Sequence, residues 1–231
     1  MILTQSQLMN LIFEVVEEYT PETVPDDRVE KLRILDFDDT IAMTDEKVVI
    51  TIDNGAGTKE ISSQEFANYK LMPGESLDPE IAYKQFDRID IDKAAPIPLI
   101  AMMLTRFLTT PGERKVLILT ARAQAVEPFV ISFIEERLGV SDARSKIEVV
   151  GVGDKNASAK VAEIKRRVES YPNLKMISFY DDSLPNVQSV LAWLKQNYPD
   201  IKRDIAHVDH ENDAPDTPGE VGEDPRQSSH A

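Results

Sequence analysis

Apolar and polar positions alternate along the second half of the chain in blocks that predict strands and helices in turn. Three short apolar runs have the length of buried strands: 115–119, 147–152 and 175–180. Each run precedes a longer segment in which apolar residues recur at helical spacing: 126–138, 158–169 and 185–197. This alternation indicates right-handed crossovers, so we expect an α/β fold with a Rossmann-like parallel sheet and helices on both faces.

The chain divides into three parts. Residues 1–30 combine a predicted helix, with apolar positions at helical spacing over 6–19, and a polar linker. Residues 31–208 hold the strand and helix blocks and form the predicted α/β domain, which begins with a short buried strand at 32–37. Residues 209–231 are rich in Pro, Gly, Asp and Glu without periodicity, which predicts a disordered acidic tail.

A small insert at about 41–95 interrupts this domain after its first strand. Its β-rich run at 47–52 is followed by an Asp-Asn-Gly turn, which predicts a hairpin that returns at 58–61. We expect a small cap and therefore an open site. The next helix, over 96–108, is predicted to point four side chains inward: Leu99, Met102, Met103 and Phe107.

Composition narrows the classes of function. The formal net charge of −15 disfavours binding to bulk duplex nucleic acid or to an anionic membrane. The absence of cysteine excludes disulfides and thiolate metal sites. No apolar run approaches the roughly 20 residues of a membrane span, and the N-terminal segment lacks the basic residues of a signal peptide. These features predict a cytoplasmic protein.

Polar side chains follow the predicted strands, at the edge where parallel sheets bind their ligands. They occur in three segments: Leu35-Asp36-Phe37-Asp38-Asp39-Thr40, Thr120-Ala121-Arg122, and Tyr180-Asp181-Asp182-Ser183 with Asn186 a turn later. A helix that opens near Lys160 precedes the last strand. The predicted topology therefore brings carboxylates, one hydroxyl and one lysine to a single edge.

These residue types suit phosphoryl transfer. Asp36 can attack phosphorus to give an aspartyl phosphate, and Asp38 can protonate the leaving oxygen and later activate water. The Thr120 hydroxyl can hold phosphoryl oxygens. Lys160 can supply positive charge to the nucleophile and the transferring group, with Lys155 as a rival for that role.

Carboxylates packed this closely repel one another, and an oxygen-preferring cation such as Mg²⁺ would relieve the repulsion. The candidate ligands are the side chains of Asp36, Asp181 and Asp182 and the backbone carbonyl of Asp38. Taken singly, each residue also has a structural explanation. Asp39 and Asp182, for example, can cap helices.

The order of these segments resembles the haloacid dehalogenase superfamily of phosphohydrolases. The first motif, hydrophobic-Asp-x-Asp-x-Thr, matches 35–40, and the second, a strand ending in Thr, matches 117–120. Lys160 resembles the third motif, a lysine near a helix start. The fourth, an acidic pair after an apolar strand, matches 179–182 and continues to Asn186.

This resemblance implies a Mg²⁺-dependent phosphatase with Asp36 as nucleophile and Asp38 as acid and base. Phage-encoded members and the phosphatase domains of nucleic-acid end-repair proteins are similar around 119–122 and 179–186. The substrate would then be a phosphorylated small molecule or a nucleic-acid end, in a host cytoplasm if a phage encodes the chain. Substrate-binding candidates are Thr40, Asn186 and Arg122, whose planar fork suits a phosphate.

Other classes of function remain open. A catalytically silent member of the same fold could serve as a binding or assembly module. A nucleotide-sugar transferase would explain Asp36 and Asp38 but would leave Thr120, Lys160 and the pair at 181–182 without a role. A phosphoacceptor signalling domain places its acceptor aspartate on a later strand than its acidic pair, so the order here is wrong. The sequence leaves the oligomeric state open.

Overall fold

The computed structural model describes residues 24–62, 65–66, 69–78, 81–154 and 156–209. The predicted helix at 6–19, the tail after Asp209 and the rival lysine Lys155 lie outside the described residues. In chain order the elements are β1 (Lys31–Leu35), β2 (Ala42–Met43), β3 (Lys47–Ile52), β4 (Gly57–Ser62), β5 (Glu75–Ser76), β6 (Ala95–Pro96), α1 (Pro98–Thr109), β7 (Arg114–Thr120), α2 (Glu127–Leu138), α3 (Ala143–Lys146), β8 (Glu148–Gly151), α4 (Ala157–Ser170), β9 (Met176–Asp181), α5 (Leu184–Asn197) and β10 (Lys202–His207).

A five-stranded sheet in the order β10-β9-β1-β7-β8 forms the centre of the molecule, and all its neighbours are parallel. The predicted α/β fold with a Rossmann-like parallel sheet is thereby confirmed. In register, Leu35 at the end of β1 pairs with Ile118 of β7 and Tyr180 of β9. The residues that follow these three strands therefore emerge side by side at one edge.

Alternate side chains of β1 enter two cores on opposite faces of the sheet, as the period of two in a strand requires. Leu35 packs with buried residues of α1 and α2, including Leu104 and Phe133. Leu32 and Ile34 belong to the opposite core, to which α4 and α5 contribute. The sheet is thus covered on both faces, as parallel sheets usually are.

The insert has a small core of its own. Strands β3 and β4 pair antiparallel from Lys47↔Ser62 to Ile52↔Gly57, which confirms the predicted hairpin, and β5 adds to the other side of β3. Val48, Ile50, Ile61 and Phe66 are buried together there. Where the chain leaves and rejoins the sheet domain, β2 and β6 form a two-stranded antiparallel pair.

Two sequence-based expectations differ from the structure. Helix α1 buries Ile100, Ala101, Leu104, Thr105 and Leu108, whereas Leu99 is 63% exposed. The predicted inward face was wrong for Leu99 because apolar residues occur on almost every side of this helix, so spacing alone does not select a face. Strand β10 was not predicted, because its charged, half-exposed sequence is that of a sheet edge.

No helix in the described part of the chain combines the length and the apolar character that a membrane span requires.

Candidate functional site

Three carboxylates meet at the edge of the sheet where β1 and β9 end. Asp36 follows β1, and its backbone N–H donates to the carbonyl of Tyr180 at 2.9 Å. One carboxylate oxygen from each of Asp36, Asp181 and Asp182 lies within 4.8 Å of the other two. Asp36 and Asp181 are buried and Asp182 is half-buried. The edge predicted from the sequence therefore does bring these acids together.

Lys160 joins two of these acids from the opening turn of α4. Its Nζ donates to Asp36 Oδ1 at 2.7 Å and to Asp181 Oδ2 at 2.8 Å, and the residue is only 2% exposed. Burial opposes the charged form, but the carboxylates of Asp36 and Asp181 outweigh it and raise the pKa of Lys160 above its ordinary value. A permanent positive charge is thus held beside the Asp36 carboxyl.

One ammonium does not balance three carboxylates, of which two are buried and one is half-buried. Burial raises the pKa of Asp36 well above its ordinary value, and the charges of Asp181, Asp182 and Asp38 raise it further against the lowering effect of Lys160. Burial, then the nearby charges of Asp181 and Asp39, raise the pKa of Asp182 to about 7. A hard divalent cation bound by oxygen ligands would relieve this surplus of negative charge, so the residues present fit Mg²⁺.

The Asp181 carboxylate is held in a fixed orientation. Its Oδ1 accepts hydrogen bonds from the backbone N–H of Ser183 at 2.8 Å and from Asn186 Nδ2 at 3.0 Å. The structure therefore places Asn186, a predicted substrate ligand, as a support of Asp181. Thr40, another predicted substrate ligand, supports the backbone of Asp182. It is fully buried, and its Oγ1 accepts a hydrogen bond from the backbone N–H of Asp182 at 3.0 Å.

A tight turn after β1 separates Asp36 from Asp38. The carbonyl of Phe37 accepts from the N–H groups of Thr40, Ile41 and Ala42, at 3.3, 2.9 and 3.0 Å. Asp39 adopts a left-handed conformation with φ of 51°, which short polar side chains tolerate better than most. This turn ends the strand at once, so the two aspartates point into different surroundings.

Asp38 pairs with Arg122 instead of joining the three-carboxylate group. Arg122 Nε donates to Asp38 Oδ2 at 2.8 Å and Nη2 donates to Asp38 Oδ1 at 2.6 Å, which is a bidentate pair. Nη2 also donates to Glu46 Oε2 at 2.9 Å, and Nη1 donates to the carbonyls of Phe86 and Arg88. We expected Arg122 to bind a phosphate. In the structure its guanidinium donors already have protein acceptors, so they are not available to a phosphate in this arrangement.

Thr120 ends β7 at the same edge and is fully buried. Its Oγ1 accepts from the backbone N–H of Arg122 at 3.2 Å, so the hydroxyl shapes the turn from which Arg122 extends. Gly151 of β8 lies against this turn. A Cβ on it would sit 2.5 Å from the carbonyl carbon of Ala123, so only glycine permits the approach.

Two further residues at this edge had no signal in the sequence. Glu46 is buried against Arg122, although an isolated acid in an insert gives no indication of burial. His207, at the end of β10, places Nε2 2.7 Å from the carbonyl oxygen of Asp182. The unpredicted edge strand thereby contacts the acidic pair.

Comparison with known proteins adds no assignment to this geometry. No protein family model matches the chain, and neither a curated protein nor a solved structure gives a significant match. The argument for function therefore depends on the residues at the sheet edge.

Proposed function

We propose that this chain is a Mg²⁺-dependent phosphomonoester hydrolase of the haloacid dehalogenase type, with Asp36 as its nucleophile. The observation that carries the proposal is the bridge from Lys160 to both Asp36 and Asp181, beside Asp182, at the carboxyl edge of a parallel sheet. Three of the four motif segments that suggest the activity, those of Asp36, Lys160 and the pair at 181–182, thus supply neighbouring groups.

Asp36 suits the role of nucleophile because its carboxylate lies directly beside a fixed ammonium. Burial raises the pKa of Asp36 and so opposes its ionised form, whereas Lys160 favours that form, as a bound Mg²⁺ would. The same ammonium can stabilise negative charge on a transferring phosphoryl group.

The side chains of Asp36, Asp181 and Asp182 and the backbone carbonyl of Asp38 would hold Mg²⁺. The ion, when bound, would neutralise charge on the carboxylates and on phosphoryl oxygens. Thr40 and Asn186 would keep two of these acids in place, through the Asp182 backbone and the Asp181 carboxylate.

The reaction would proceed in two steps. An Asp36 oxygen bonds to phosphorus while the bond from phosphorus to the leaving oxygen breaks. Asp38, which must first take up a proton and give up one of its two hydrogen bonds to Arg122, transfers that proton to the leaving oxygen. Water then attacks phosphorus and gives a proton to Asp38. The acyl phosphate bond breaks, which releases inorganic phosphate and restores the Asp36 carboxylate. The proposed substrates are a phosphorylated small molecule or a nucleic-acid end.

Release of inorganic phosphate from p-nitrophenyl phosphate and from a 3′-phosphorylated oligonucleotide tests the proposal. We expect activity that requires Mg²⁺ and disappears in EDTA. Asp36→Asn should lower kcat by about 10⁴-fold or more, because the nucleophile is lost. The matched control is Asp200→Asn, which alters an exposed aspartate with no role in the site.

Turnover by Asp36→Asn equal to that of the unaltered chain would reject this mechanism. If a broad panel of phosphoesters gives no hydrolysis while the chain captures a stable partner, the catalytically silent binding module becomes the better assignment.

A further inference from the structure

Arg122 lies where the insert meets the edge of the sheet. It extends from the turn after β7, and its side chain is only 1% exposed. The guanidinium has five N–H donors. Five acceptors receive them within 3.2 Å: Asp38 Oδ1, Asp38 Oδ2, Glu46 Oε2 and the carbonyl oxygens of Phe86 and Arg88.

These acceptors belong to two parts of the chain. Asp38 is in the turn that follows β1, whereas Glu46, Phe86 and Arg88 belong to the insert. The Phe86 ring also lies under the guanidinium, with its centroid 4.9 Å from Cζ. Thr44, at the start of the insert, donates directly to Asp38 Oδ1 at 2.9 Å. One buried cation thus fixes both the Asp38 carboxylate and the insert.

We propose that Arg122 is a positioning residue that makes the orientation of the Asp38 carboxyl depend on the placement of the insert. The inference rests on the proposed function, in which Asp38 is the proton donor. A planar fork with two parallel hydrogen bonds fixes the plane of a carboxylate, and a lysine ammonium cannot reproduce that geometry. The other N–H groups of the Arg122 guanidinium are bound by Glu46, Phe86 and Arg88 of the insert. Displacement of the insert therefore also turns the guanidinium that holds Asp38.

Proton donation matters most when the leaving oxygen is basic. An alkyl phosphate needs a proton on its leaving alkoxide, whereas p-nitrophenolate departs without one. An error in the orientation of Asp38 should therefore slow alkyl phosphates selectively. A general loss of folded protein or of metal would slow both substrates equally, so the ratio of the two rates separates positioning from a merely structural role.

The kinetic test compares Arg122→Lys with the matched control Arg144→Lys, which alters an exposed arginine paired with Glu127. We expect Arg122→Lys to lower kcat for an alkyl phosphate by about 100-fold, the lower range of general acid catalysis, and kcat for p-nitrophenyl phosphate by about threefold or less. Glu46→Gln, which acts from the insert without touching Asp38, should show the same selectivity at about 10-fold. Equal loss on both substrates would overturn the proposal.

A second readout does not depend on activity. Hydrogen exchange of the insert amides at 44–62 and 81–94 should accelerate in Asp38→Asn, because coupling between the two parts is reciprocal. The amides of β7 and β9 should keep their protection. Unchanged exchange in the insert would overturn the coupling even if the enzyme is active. If exchange in Asp38→Asn is faster but the unaltered chain hydrolyses no phosphoester, the coupling is retained and the proposed function is rejected.

Discussion

The turn after β1 contributes one aspartate to each of two buried ion clusters. The two clusters differ in how completely their charges are balanced. The edge cluster contains Asp36, Asp181 and Asp182 with Lys160. The insert cluster contains Asp38 and Glu46 with Arg122. In the insert cluster one guanidinium faces two carboxylates, and all five of its donors find acceptors, two of them backbone carbonyls. In the edge cluster one ammonium faces three carboxylates.

The difference bears on which cluster would bind a cation. A buried cluster that satisfies its own donors and acceptors needs no ligand, and its cost of desolvation is offset within the fold. A buried cluster with surplus negative charge is costly until a cation or a proton arrives. The raised pKa values of Asp36 and Asp182 express that cost. By formal charge the insert cluster keeps one surplus negative charge and the edge cluster two, so the edge cluster is the better candidate for the proposed Mg²⁺ site.

The largest expected effect on stability comes from breaking the insert cluster. Arg122→Met leaves Asp38 and Glu46 facing each other without their cation and leaves the carbonyls of Phe86 and Arg88 without these donors. Removing one partner of a buried ion pair costs about 3–5 kcal/mol, and with five hydrogen bonds lost we expect the upper part of that range. Urea denaturation should show this loss equally in Mg²⁺ and in EDTA.

Arg144→Met provides the control for that measurement. Arg144 is exposed and pairs with Glu127 on the surface, so its loss should cost about 0.5 kcal/mol or less. If Mg²⁺ restored the stability of Arg122→Met, the insert cluster would also be a cation site, and the distinction drawn between the clusters would fail.

Breaking the edge cluster should have a smaller effect that Mg²⁺ reverses. Lys160→Met removes the ammonium, but the raised pKa of Asp36 and Asp182 lets these acids take up protons in place of the cation. We expect a loss of about 3 kcal/mol in EDTA at neutral pH. Saturating Mg²⁺ should restore most of it, because a ligand that binds only the folded state stabilises that state. A loss that is independent of Mg²⁺ would contradict the metal assignment.

The edge cluster could be predicted from the sequence because each member has a local signal. A short apolar run that ends in an acid or a threonine marks the end of a buried strand, as for Asp36, Thr120 and Asp181. Parallel alternation then places those ends at one edge. Lys160 was a weaker prediction, since a lysine in the first turn of a helix is usually solvated. Its burial depends on tertiary contacts that span 124 residues to Asp36.

The insert cluster could not be predicted in the same way. Glu46 lies 76 residues from Arg122 in the chain, and backbone carbonyls such as those of Phe86 and Arg88 have no sequence signature. The motif at 35–40 places Asp36 and Asp38 together, but the turn at Asp39 that separates them depends on one left-handed residue. The sequence therefore indicated the acids and not their division between two clusters.

The smallest expected effect is the dependence of stability on pH. In EDTA, Asp182 has a folded-state pKa of about 7 and an ordinary pKa near 4 when unfolded, so the folded chain binds more protons between these values. Stability should therefore rise as the pH falls from about 8 to about 6, by about 1 kcal/mol for this group. Asp36 shifts in the same direction.

Chemical denaturation at the two pH values, with unaltered chain, Asp182→Asn and Arg122→Lys side by side, assigns that change to one cluster. Asp182→Asn should show a smaller rise because the group that takes up the proton is gone. Arg122→Lys should keep the full rise, since it leaves Asp182 and the groups that raise its pKa in place. A rise that Asp182→Asn leaves intact, or a fall in stability on acidification, would show that the edge cluster is not the costly one.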